Sequence, residues 1–89
     1  MKNNLYKNGL EIGDLVKFNF YLFGKKYNKL SRQLYSLVLE KNLMFTQETK
    51  WGIKSFFEYK MLNVYGDYCK KIVIAKTQQI EIIEVNKSN

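Results

Sequence analysis

Apolar and polar residues alternate from Leu15 to Phe23: Val16, Phe18, Phe20 and Leu22 fall on one side of an extended chain, Lys17, Asn19 and Tyr21 on the other. Successive side chains of a strand point to opposite faces, so a period of two predicts a half-buried strand. A helix would need the apolar set at spacings of three and four, and that pattern is absent. Gly13-Asp14, just upstream, is a turn signal leading into the strand. A basic loop opened by Gly24, "GKKYNKLSRQ" (24–33), separates it from "LYSLVLEK" (34–41). That run is expected to be a second strand, with Tyr35, Leu37 and Leu39 on one face and Leu34 and Val38 on the other. Two apolar faces suggest a strand in a barrel wall that also packs against an arm or a partner.

The pattern is least regular over "NLMFTQETKWGIKSFFE" (42–58). This is expected to be an insert, formed as a long loop or extra hairpin, with a short helix over 46–54 as the alternative. It carries Met44, Phe45, Trp51, Phe56 and Phe57, too many large apolar groups to leave in water. Further on, Gly66-Asp67 between two apolar runs signals a two-residue hairpin, because glycine takes a positive φ cheaply. "AKTQQ" then makes a tight corner and "IEIIEV" a last strand. Residues 1–9 form a lead-in arm. Five short strands favour a closed or nearly closed barrel, since an open sheet leaves edges unpaired. A chain of 89 residues supports one such domain, spanning 1–89.

The segments "GDLV", "LVLE", "YKMLNVYGDY" and "IEIIEV" resemble the small barrels of the Src-homology-3-like and KOW-like kind, especially short bacteriophage-encoded ones. The resemblance covers residues 10–23, 34–41 and 59–85, and the segment 42–58 departs from it. It implies a mainly β, five-stranded Src-homology-3-like barrel with a long insert between strands two and three. Such a scaffold implies binding without naming the ligand.

Composition changes the picture in two respects. The formal net charge of +7 favours acidic partners and polyanions. Yet Arg32 is the only arginine, and the dominant Lys, Asn, Ile, Tyr and Phe all have A/T-rich codons, so base composition alone accounts for much of the excess. The second respect is chemistry. Without histidine the chain lacks the commonest general base at neutral pH and the commonest zinc ligand. A single cysteine, Cys69, forms no intrachain disulfide and no structural zinc site, and no glycine-rich phosphate loop is present. Among the acids, Asp14 and Asp67 sit in turns, while Glu81 and Glu84 should face opposite ways on a regular strand. Cys69, beside Lys70 and Lys71, fits better as an inward-facing strand residue than as a reactive thiol. The expectation is therefore a non-enzyme needing no cofactor or metal. No targeting signal is visible, and the apolar runs fall far short of the ~20 residues that span a bilayer. A soluble protein of a host cytoplasm or a virion follows, neither secreted nor membrane-bound.

Two candidate sites emerge. Met44, Phe45, Trp51, Phe56 and Phe57 suggest a protein contact, because exposed aromatics and methionine mark interface cores. Lys17 and the basic loop, Lys25, Lys26, Tyr27, Lys29 and Arg32, suggest a nucleic-acid grip, with cations for phosphates and an aromatic for stacking; Tyr21 is a second stacking candidate. The leading expectation is a phage-type protein-interaction module, a virion or assembly component or a factor that docks on a host protein. The alternative is a nucleic-acid-binding barrel. Codon usage explains the charge more readily than it explains five large apolar residues in one segment.

Overall fold

The computed structural model describes residues 9–24, 26, 32–66 and 69–87. Five strands, β1 (Leu15–Phe20), β2 (Arg32–Thr49), β3 (Gly52–Asn63), β4 (Ile72–Lys76) and β5 (Ile80–Asn86), form one antiparallel sheet in the order β4-β3-β2-β1-β5. The mainly β class is as the alternation predicts. The expected barrel is not closed by hydrogen bonding, because β4 and β5 are the two edges of the sheet and do not pair. A single 3-10 turn, Thr77–Gln79, connects them.

Val16 and Phe18 are buried on β1, and Phe20 packs half-buried against the same core. Leu22, expected on that face, is exposed instead. The strand ends at Phe20 because Tyr21 donates its N–H to Gln79 O (2.8 Å) and Gly24 closes a turn onto Tyr21 O (3.0 Å). On β2 the two faces group as expected, and the buried one is that of Leu34, Ser36 and Val38. The register explains it: Leu34 lies opposite Phe18 and Ser36 opposite Val16, and directly opposed residues share a face. Val38, Met61, Tyr59, Ala75, Ile80 and Leu10 complete the core. With one sheet and no second layer among the described residues, burial this deep requires the sheet to curl over its own inner face.

Segment 42–58 forms the outer halves of β2 and β3, paired from Asn42–Glu58 out to Thr49–Gly52. This is the hairpin form of the expectation, made continuous with the strands; the helix alternative does not form. Thr49 builds the tip: its Oγ1 accepts the Trp51 N–H (3.1 Å) and donates to Gly52 O (2.7 Å), and Gly52 takes φ 119°. Two bulges, between Val38 and Glu40 and between Leu43 and Phe45, bend β2. The first places Lys41 opposite buried Tyr59, where its Nζ lies 4.4 Å from the Phe57 ring centre and 3.2 Å from Glu11.

Gly66-Asp67 does not make a two-residue hairpin. Residues 64–71 connect β3 to β4, closed by Asn63 N–H to Lys71 O (2.9 Å) and Lys70 N–H to Asn63 O (2.7 Å), with Lys70 at φ 69°. Asp67 lies outside the described residues. Cys69 sits in this loop and is exposed, not turned inward. A further bulge, on β5, sets Glu84 opposite Lys17 and Glu81 opposite Asn19. Lys17 and Asn19 share a face, so Glu81 and Glu84 do too, contrary to the regular-strand expectation. Of the expected arm, residues 1–8 lie outside the described residues. Gly9 follows, and Leu10 enters the core with its N–H donated to Tyr59 Oη (3.1 Å).

Candidate functional site

The 3-10 turn after β4 organises one side of the molecule. Thr77 Oγ1 accepts the Phe57 N–H (2.9 Å) and donates to Phe57 O (3.2 Å), tying the turn to β3. Gln79 accepts the Lys76 N–H at Oε1 (2.8 Å) and donates from Nε2 to Leu22 O, tying it to the β1–β2 connection. The turn therefore holds two distant segments in place beside each other.

Between them opens a cleft of about 640 Å³, lined by Phe23 and Lys26 from the β1–β2 connection, Lys54 and Phe56 from β3, and Thr77 and Gln78 from the turn. Phe56 is its floor. It is buried, stacked on Phe45 at 4.5 Å between ring centres and 13° between planes. Lys54 Nζ lies 5.1 Å from the Phe56 ring centre, so a cation rests on the aromatic wall. Phe23, 74% exposed, forms a rim. Among the described residues that line it, none is acidic.

The hairpin beyond the cleft carries further apolar side chains. Leu43, Met44, Phe45 and Ile53 are exposed, and Trp51 at the tip is 90% exposed. The five expected contact residues thus separate by role. Met44, Phe45 and Trp51 are exposed, Phe56 is the cleft floor, and Phe57 packs half-buried against the core. Sequence reading missed Phe23, Lys54, Thr77 and Gln78. "AKTQQ" signalled a corner, but which segments that corner would join depends on contacts between residues about 20 and 57 positions apart.

Of the expected basic cluster, Lys25, Tyr27 and Lys29 lie outside the described residues. Lys26 borders the cleft, whereas Lys17, on the outer face of β1, β2 and β5, and Arg32, the first residue of β2, line a separate groove. Tyr21 stands on that outer face, its hydroxyl donating to Glu81 Oε1 (3.0 Å), a bond that raises its pKa above the ordinary tyrosine value, with Glu81's charge adding to the effect.

Among the described residues no three His, Cys, Asp or Glu side chains gather as a metal site, and no helix is long and apolar enough to cross a membrane. Comparison with family models, curated proteins and solved structures finds no match for the chain.

Proposed function

We propose that the protein is a non-catalytic interaction module whose cleft takes an apolar segment of an acidic partner protein. One observation carries the reading: Phe23 and Lys26 of the β1–β2 connection and Lys54 and Phe56 of β3 converge on one concave surface, and exposed Phe45 of the hairpin stacks on Phe56. Phenylalanine and methionine surfaces desolvate well, and protein interfaces are enriched in aromatic residues and methionine. Two lysines at the cleft, no acid among its described lining residues and a net charge of +7 complement acidic residues flanking the partner's apolar side chains. The apolar surface is more than a stacked base needs, which favours protein over nucleic acid at this cleft. The strand order, the bent β2 and the short turn before β5 support an Src-homology-3-like reading of the scaffold.

The test is titration of labelled synthetic peptides that alternate Glu with Leu or Phe. Binding should weaken with salt, and Lys54→Glu or Phe23→Ser should each reduce it about tenfold, the scale of one interface anchor. Both substitutions are at exposed positions, so the fold survives them. Peptide binding indifferent to both, or binding to anionic vesicles in place of peptides, would overturn the proposal.

A further inference from the structure

The outer face of β2, β1 and β5 is built of polar cross-strand rows. Gln33 Nε2 donates to Asn19 Oδ1 (3.2 Å), and Asn19 Nδ2 donates to Glu81 Oε1 (2.9 Å), so one row is laced across three strands. The neighbouring row is Tyr35, Lys17 and Glu84. Beside it lies a groove of about 510 Å³, lined by Lys17, Arg32, Gln33, Tyr35, Tyr65 and Glu84.

Its walls are placed by the backbone. Val64 donates its N–H to Tyr35 O (2.9 Å), which sets the start of the β3–β4 connection against β2 and brings Tyr65 to the groove. Tyr65 is 76% exposed, and the Tyr35 hydroxyl accepts from Asn86 Nδ2 (3.3 Å), which steadies that ring. Two cations from different strands therefore flank two tyrosines. Lys70 and Lys71 follow Tyr65 closely in the chain.

We infer that this groove binds a single-stranded nucleic-acid segment, with Lys17 and Arg32 on phosphates and Tyr65 and Tyr35 as the stacking surface. Single strands present unpaired base faces to aromatic rings and their phosphates to cations, the complement of this lining. Glu84, at the end of the Tyr35–Lys17 row, supplies an acceptor for a base amino group. An acidic protein segment suits the site less well: it offers no planar faces for two tyrosines and would meet Glu84. Among the described residues the groove shares none with the cleft, so the inference stands or falls apart from the peptide reading.

The experiment is fluorescence anisotropy of the full chain with labelled oligothymidylate and oligouridylate of about twelve nucleotides, within the site sizes of small β modules. Two phosphate contacts give a slope near −1.4 in log affinity against log salt, about a sevenfold loss between roughly 50 and 200 mM. Lys17→Gln and Arg32→Gln should each flatten that slope by about 0.7. Tyr65→Ala, at an exposed position, should weaken binding about tenfold at unchanged slope. Phe23→Ser, in the cleft, should change none of this. Preference for one oligomer identifies the nucleic acid as DNA or RNA. Failure to bind either, or equal capture of heparin with Tyr65→Ala without effect, overturns the inference.

Discussion

Single residues decide how the chain enters its core. Gly9 takes φ 81°, and a Cβ placed there would collide with Tyr59 Oη. Gly9→Ala therefore combines a left-handed backbone, about 1 kcal/mol for a residue with a Cβ, with loss of the Leu10–Tyr59 hydrogen bond, about 1 kcal/mol more. In a domain of this size the melting temperature should fall on the order of 10 °C, measured by circular dichroism. Tyr59 has a second consequence. Burial raises its pKa above the ordinary tyrosine value, while the bond from Leu10 pulls the other way. The neutral phenol is favoured more in the folded than in the unfolded chain. Its contribution is thus fully present below about pH 10 and is lost as pH rises through the folded value. Melting curves between about pH 8 and 11 should show an alkaline decline that is shallower in Tyr59→Phe; equal slopes would mean that Tyr59 does not drive it. None of this is legible in "NGLEIG", because Gly9 looks like any loop glycine until Tyr59, 50 positions on, is known to lie over it.

Elements were more legible than residues. The alternation over β1 predicted strand and face correctly for Val16 and Phe18, since a period of two admits no competing element. β2 left the buried face open because both its faces are apolar, and only the pairing with β1 selects Leu34, Ser36 and Val38. The β2–β3 hairpin misled in extent. Its outer half lacks a clean period because bulges offset the register twice, so a continuous strand pair reads as an irregular insert. The same bend carries the tip away from the core and leaves Trp51 90% exposed. As the chain's single tryptophan, it reports on the hairpin alone. Acrylamide should quench it nearly as fully in the folded as in the denatured protein, and a bound peptide that reaches the tip should protect it and shift its emission to shorter wavelength. Protection in the free protein would place the hairpin against the body instead.

At the scale of the molecule, positive charge is distributed over two concave surfaces with different neighbours. Lys26 and Lys54 accompany phenylalanines in the cleft, and Lys17 and Arg32 accompany tyrosines in the groove. The acids are partly engaged elsewhere: Glu11 with Lys41, Glu40 with Lys60, and buried Asp14 with Lys87 (2.9 Å), which ties the chain following β5 to the turn before β1. The exposed Glu40–Lys60 pair is of the kind that contributes less than about 1 kcal/mol, so the charge pattern bears on association more than on stability. By itself the sequence determined a small β domain without histidine chemistry, because alternation and composition act residue by residue along the chain. The tertiary structure alone decided that Phe23 and Phe56 line one cleft, that Lys26 and Arg32 line different ones, and that Glu81 and Glu84 share a face. Those outcomes depend on register, bulges and one 3-10 turn, and these arise from pairings between residues far apart in the chain that no local pattern encodes.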